Sequence, residues 1–182
     1  MRELMRTVLW GRGRQRPGYS ALFGWVGVAL AGLALVAQLD YFRARRPGTP
    51  VSGYARVIDG DSLSVAGREI RLMGIDAPEG RQHCTRGGTD WACGDAARGH
   101  LHELIGGATT MCRGEESDRH GRLLAVCEAR GRNLNAAMVE DGLAVSYGAY
   151  RAEESRARAA RRGLWASDFE RPRDWRDHHP RH

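Results

Sequence analysis

Residues 57–79 read VIDGDSLSVAGREIRLMGIDAPE, in which apolar, strand-like stretches end in acids. Asp59 and Asp61 lie at the end of one run, Asp76 and Glu79 at the end of the next, and Arg71 stands within the latter. If these runs pair, carboxylates meet beside a guanidinium. That is the raw material for a divalent-cation site facing a phosphate.

Working outward, YARVID, DSLSVAG and REIRLMGI read as three strands, the latter two joined by a tight turn around Ala66, Gly67 and Arg68. Alternation along the third strand puts Ile70 and Leu72 on one face and Arg71, Met73 and Ile75 on the other. Arg71 then has partly buried neighbours and requires an anionic partner. Asp95 is placed to cap a helix running to about Ile105, with Ala97, Leu101, Leu104 and Ile105 as its apolar stripe. His100 and His102 fall on different sides of that helix and read as solvated residues. Strands at about 108–113 and 122–129 flank the polar loop RGEESDRHG, and Asn133 caps a short helix ending at Gly142. A last helix, about 151–162, has Glu153 and Glu154 in its first turn and arginines towards its end, matching the macrodipole, with Gly163 as its stop. Leu164 and Trp165 follow as residues that dock back onto the core. This order of elements predicts a mainly β, α+β fold: a five-stranded OB-type barrel with three packed helices.

The whole chain has 182 residues and a formal net charge of +6. It contains no lysine, so each strong fixed positive charge is a planar arginine suited to phosphate. Arginine replaces lysine wholesale in chains from GC-rich genomes, so only arginines beside the acids carry functional weight. From Ala21 to Leu39 no charge interrupts an apolar run, long enough at about 1.5 Å per residue to cross a hydrocarbon core of about 30 Å. Five arginines before it and three after it favour a cytoplasmic N-terminus. The expected organisation is a basic cytoplasmic N-terminus at 1–20, a transmembrane signal-anchor at 21–39, a linker at 40–50, the domain at 51–168 and a polar, frayed tail at 169–182. The domain then stands outside the cytoplasm, anchored to the inner membrane. If the apolar run is instead a cleaved signal peptide, the domain is secreted.

Four cysteines, all beyond the apolar run, favour disulfides in an exported domain, and three pairings exist. Cys84–Cys93 would clamp a Gly-rich loop, while Cys112 and Cys127 sit in two apolar runs that fit neighbouring strands; this is the preferred pairing. A zinc site of Cys84, Cys93, His100 and His102 is the alternative, although its spacings differ from common zinc modules.

At this point the chain resembles the thermonuclease, or staphylococcal-nuclease-like, family over roughly residues 51–168. The residues that carry the likeness are Asp59-Gly60-Asp61 after the first strand, Arg71 five residues before the Asp-x-Pro-Glu turn of Asp76, Pro78 and Glu79, and the loop Asp118-Arg119-His120-Gly121-Arg122. Asn135 in NLNAAMVEDGLA and the GLWA of 163–166 extend it. Several ordered motifs are far more specific than one.

The resemblance implies calcium, with magnesium as a second choice, held by Asp61, Asp76 and the carbonyl of Ala77, with Asp59 near the metal and Glu79 linked to it through water. It implies Arg71 and Arg122 as the guanidiniums on the scissile phosphate and Glu79 as the candidate base. Arg119, His120 and Tyr150 become substrate contacts; Tyr147 is one position out of step. Two departures stand out: Ala77 lacks the hydroxyl of a family threonine, and His120 replaces an aromatic residue. The expected activity is calcium-dependent, largely sequence-nonspecific hydrolysis of DNA and RNA by a monomer. Two alternatives stand beside it. One is a non-catalytic OB-type module binding nucleic acid or a partner, and the other a structural envelope protein whose acids bind calcium for stability, which leaves the arginines unexplained.

Overall fold

Alternating apolar residues and one left-handed turn make the first sheet. In the computed structural model, which describes residues 49–180, β1 (Val51–Asp59), β2 (Ser62–Val65) and β3 (Arg68–Leu72) form an antiparallel meander. Ala66 (φ 49°) and Gly67 (φ 80°) join β2 to β3, the left-handed pair that a two-residue hairpin requires. The basic N-terminus, the apolar run at 21–39 and most of the linker at 40–50 lie outside the described residues. Among the described residues no helix is long and apolar enough to cross a membrane.

The chain continues through β4 (Ile75–Asp76), a small hairpin of β5 (Cys84–Arg86) and β6 (Thr89–Trp91), and helix α1 (Cys93–Ile105). Then come β7 (Thr109–Arg113), β8 (Leu123–Ala129), β9 (Arg132–Asn133), α2 (Leu134–Glu140) and β10 (Val145–Ser146). Helix α3 (Arg151–Ala159), a 3-10 turn (Gly163–Ala166) and α4 (Pro172–His178) complete it. β1 pairs with β2 on one side and β7 on the other, β7 pairs with β8, and β8 runs parallel to β3 through Ile70↔Leu123 and Leu72↔Ala125. That last pairing closes a five-stranded barrel.

The barrel interior follows the period of two. Leu123, Ala125, Cys127 and Ala129 of β8 are buried while the residues between them are less so, and they meet Leu63, Val65, Ile70 and Leu72. Ala97, Leu101 and Ile105 of α1 and Leu134 and Met138 of α2 cover this core. Each such large side chain contributes roughly 1.5–3 kcal/mol by leaving water.

Several expectations are corrected. Ile75 does not share the face of Arg71 and Met73. β3 ends at Leu72, and the turn through Gly74 (φ 80°) redirects the chain so that Ile75 is buried while Met73 stays exposed. Asp95 lies in the first turn of α1 rather than capping it; the cap is Ala92, with no side-chain bond. Helix α3 stops at Ala159, and Gly163 begins the 3-10 turn. The described helices number four, not three, because part of the stretch read as a frayed tail forms α4.

The cysteines pair as Cys84–Cys93 and Cys112–Cys127, leaving no free thiol among the described residues for the zinc alternative. Cys112 and Cys127 face each other directly across β7 and β8. Cys84–Cys93 ties the β5–β6 hairpin to the start of α1. Of the two histidines in that alternative, His100 bonds Asp141 at 2.9 Å.

Asn135, fully buried, pins α2 to the barrel: its amide donates to the carbonyls of Met73 (2.9 Å) and Ala125 (3.0 Å) and accepts from Cys127 N–H (3.0 Å). Asn135→Ala strands at least Cys127 N–H and the Met73 carbonyl and is expected to cost about 2–4 kcal/mol in a urea melt; a loss below about 1 kcal/mol would contradict this role. Reduction of the disulfides should lower stability by about 2–5 kcal/mol for each one lost, measured as the same melt with and without reductant.

Candidate active site

The turn between β1 and β2 and the turn after β4 bring the acids together because small residues let their backbones touch. A Cβ on Gly60 would lie 2.7 Å from the Cβ of Ala77 and 2.8 Å from that of Ala97, so only glycine fits between the two turns and α1. Gly94 does the same for Glu79: a Cβ there would fall 1.8 Å from the Glu79 carbonyl oxygen. The first turn of α1 thus seats the backbone that carries Glu79.

Asp61 is only 2 % exposed and Asp76 4 %. Asp61 Oδ1 accepts from the Ser62 hydroxyl at 3.0 Å, and Oδ2 accepts from Ala77 N–H at 3.0 Å and lies 2.8 Å from Arg71 Nη2. The same Arg71 nitrogen donates to Asp76 Oδ1 at 2.7 Å. Asp59 caps the turn by accepting from Asp61 N–H at 3.1 Å. Burial pushes the Asp61 carboxyl up to about 7, outweighing the pull of Arg71, and the nearby Asp59 adds to the rise. Arg71 alone does not fully compensate the buried carboxylate, and the oxygens around it are hard donors. Among the described residues no three Asp, Glu, His or Cys side chains converge as a ready cage, so a cation here would draw on two carboxylates, backbone oxygen and water.

Arg122 enters from the loop before β8 and is aimed by Asp118. Its Nε donates to Asp118 Oδ2 at 2.8 Å, and Asp118 Oδ1 accepts from the N–H groups of His120 (2.9 Å) and Arg122 (3.0 Å). Burial acts to raise the Asp118 carboxyl, but the Arg122 side chain and these two N–H groups outweigh it and leave it below the usual carboxylate range. Arg122 Nη1 also donates to the Ser62 hydroxyl at 3.2 Å. Ser62 therefore links Arg122 to Asp61, a role that no spacing in the sequence announced.

A cleft of about 940 Å³ opens over this cluster, and Arg71, Arg122, Asp59, Asp76 and Glu79 all line it. Arg119 and His120 stand at its edge, with Arg119 Nε bonded to His120 Nε2 at 3.0 Å. Ala77 is buried and reaches Asp61 through its N–H. Tyr150 is placed differently from the expectation: it precedes α3 with φ 62° and packs against the barrel core behind Gly74, where a Cβ would come within 3.3 Å of its ring. Tyr147, 63 % exposed, is the tyrosine that lines the cleft.

The structure adds residues that the sequence reading missed. Arg176 of α4 donates from Nη1 to Asp76 Oδ1 (3.0 Å) and Glu79 Oε1 (3.0 Å), and from Nη2 to Asp76 Oδ2 (3.1 Å). Burial works to lower its guanidinium, but Asp76 and then Glu79 outweigh that and hold it above the ordinary arginine value. Trp175 and His179, stacked at 4.5 Å, line the cleft beside it. Gln82 is fully buried; its Oε1 accepts from Glu79 N–H at 3.3 Å and its Nε2 donates to the Glu170 carbonyl at 2.7 Å.

The staphylococcal nuclease homologue family profile matches residues 69–167, the stretch that holds Arg71, Asp76, Glu79 and Arg122. A succinoglycan biosynthesis protein of Rhizobium meliloti (strain 1021) is 31% identical over 166 residues, covering 87% of this chain and 86% of that protein. An uncharacterized endonuclease of Escherichia coli O157:H7 is 35% identical over 133 residues, covering 66% of this chain and 81% of its own length. A micrococcal nuclease of Shigella flexneri is 33% identical over 143 residues, covering 66% and 77%. With its acids and arginines gathered at one mouth of a closed barrel, and with these matches, the chain belongs to the staphylococcal nuclease homologue family.

Proposed function

We propose that this protein is a calcium-dependent phosphodiesterase that cuts DNA and RNA with little sequence preference. The observation that carries the reading is the convergence of Arg71 and Arg122 on one cleft lined by Asp76 and Glu79, above a buried Asp61 that meets Arg71 directly and Arg122 through the Ser62 hydroxyl. Structural calcium binding alone would need the acids but not two guanidiniums, and a binding module that had lost catalysis would not be expected to keep both sets. The five-stranded barrel is of OB type on this reading, with the substrate across its acidic mouth.

Calcium, or magnesium in its place, would be held by Asp61, Asp76 and the Ala77 carbonyl, with Asp59 close by and Glu79 reached through water, and would supply Lewis-acid stabilisation of the phosphoryl oxygens. The buried Asp61, whose negative charge is under-compensated where it lies, and the all-oxygen donor set fit such a cation. Arg71 and Arg122 present planar forks to the non-bridging oxygens, where negative charge grows as water attacks phosphorus. Glu79 orients that water and takes its proton. The bond from phosphorus to the 5′ oxygen breaks, the leaving oxygen takes a proton from solvent, and the product carries a 3′-phosphate. Arg119 and His120 contact the backbone at the cleft edge. Tyr147, which lines the cleft, takes the substrate contact expected of Tyr150 and stacks on a base.

Two disulfides support work in an oxidising compartment, and the apolar run at 21–39 supports an inner-membrane anchor with the domain in the periplasm or outside the cell. Cleavage of that run would make the protein secreted. It acts as a monomer on this reading.

Digestion of single-stranded DNA and RNA by the purified full-length protein tests the proposal. Cleavage should require calcium and stop with chelator, and Arg71→Ala, Arg122→Ala or Glu79→Ala should each lower kcat by about 100- to 1,000-fold. Intact nucleic acid after incubation with wild-type protein and calcium would refute the nuclease reading. Tyr147→Ala should raise KM by about tenfold, the loss of one stacking contact, whereas Tyr150→Phe should leave KM unchanged; the reverse pattern would return the substrate role to Tyr150.

A further inference from the structure

Helix α4 lies beyond the stretch that the family profile matches, yet it reaches into the catalytic cleft. Its approach is anchored. Thr85 and Asp168 exchange backbone hydrogen bonds at 2.9 and 2.8 Å, the buried Gln82 amide holds the Glu170 carbonyl at 2.7 Å, and Pro172 is buried at the helix start. Gln82 also holds Glu79 N–H, so one buried side chain fixes both the backbone of the candidate base and the base of α4.

From that anchor Arg176 spans both oxygens of Asp76 and one of Glu79. A divalent cation at Asp76 needs some of the same oxygens, and a water-activating Glu79 needs the other. Two positive groups cannot share them at full strength. The Arg176 side chain is 36 % exposed, so a competitor can reach the contact from solvent. Pro172 is the only buried residue of α4, so beyond its anchored start the helix keeps its seat largely through these ionic bonds. Tethering gives the guanidinium a high local concentration without the entropy cost of a free ligand.

We propose that Arg176 is a tethered counter-cation that closes the acidic mouth, and that a divalent cation must displace it from Asp76 and Glu79 before substrate is cut. This rests on the calcium-nuclease reading and adds its regulation. The closed form lowers apparent calcium affinity by the fraction of molecules left open. With about one molecule in ten open, that is a tenfold loss. Once displaced, the guanidinium remains beside Trp175, His179 and Arg173 on the cleft wall, where it faces the anionic substrate.

Calcium titration by isothermal calorimetry, on the full-length protein, on Arg176→Gln and on a chain ending at Arg171, decides the matter. Both variants should bind calcium about tenfold tighter than wild type, and the calcium concentration for half-maximal cleavage should fall by the same factor. Equal or weaker binding in both variants overturns the role of Arg176 while leaving the calcium-nuclease reading in place. Tightening in the truncated chain alone assigns the closure to the rest of the helix and also overturns it. Absence of calcium binding in all three proteins overturns both readings.

Discussion

Asp61 has both carboxylate oxygens committed inside the protein: Ser62 bonds one, and Ala77 N–H and Arg71 hold the other. These bonds fasten the β1–β2 turn to β3 and to the turn after β4, and the remaining active-site groups hang from those segments. Burying an acid is costly unless charge and hydrogen bonds compensate. Here the compensation is incomplete, as the rise of the Asp61 carboxyl to about 7 shows. The shortfall has structural prerequisites: Gly60 lets the turn approach Ala77 and Ala97, and barrel closure between β3 and β8 sets Arg71 opposite Leu124, just past Arg122. A fold that left Asp61 in water would satisfy the carboxylate and lose its demand for positive charge.

Arg71 and Arg122 reach the cleft by different routes, and the difference matters for what each can do. Arg71 is held by two carboxylates that are themselves candidate cation ligands, so its orientation depends on what else those acids bind. Arg122 is aimed by Asp118, which lies outside the acidic cluster. One guanidinium is thus coupled to whatever those acids bind and the other is set independently of them, apart from the Ser62 link. Arginine suits both positions because its planar fork can keep one edge on a carboxylate while offering another to phosphate, which a lysine ammonium cannot do with the same geometry.

Much of this was legible in the sequence where local chemistry and long-range order agree. The Ala66–Gly67 hairpin is fixed by two left-handed residues, and Cys112 and Cys127 fall opposite each other once two apolar runs pair. Asp61, Asp76, Arg71, Glu79 and Arg122 were all readable as candidates, but that Ser62 joins the acidic half to Arg122 depends on a register no motif reports. Tyr147 and Tyr150 show a sharper limit: which tyrosine faces the cleft is set by the left-handed backbone at Tyr150, where most non-glycine residues are disfavoured. The β5–β6 hairpin was read as a Gly-rich loop because its strands are short and carry few apolar residues.

Helix α4 was missed for a reason that bears on its behaviour. RPRDWRDHHPRH has no apolar stripe, so periodicity gives no signal, and the seat of the helix beyond Pro172 comes from ion pairs rather than from burial. The local signs were present: Pro172 at the helix start, Asp174 in the first turn, and Arg176 and His178 in the last. Such an element is stable only while its partners are free to hold it. Asp76 and Glu79 are also the groups that a cation and a water molecule would claim, so the position of α4 and the state of the acidic mouth are thermodynamically linked. Whatever strengthens one claim on those oxygens weakens the other by the same free energy. The hydrophobic barrel has no such dependence, because its core is closed by Leu63, Ile70, Leu72 and Leu123 whatever occupies the cleft. The protein therefore combines a barrel core fixed by burial with a C-terminal element fixed largely by charge, and a cation at those acids would act on the second and on the Arg71 side chain rather than on the core.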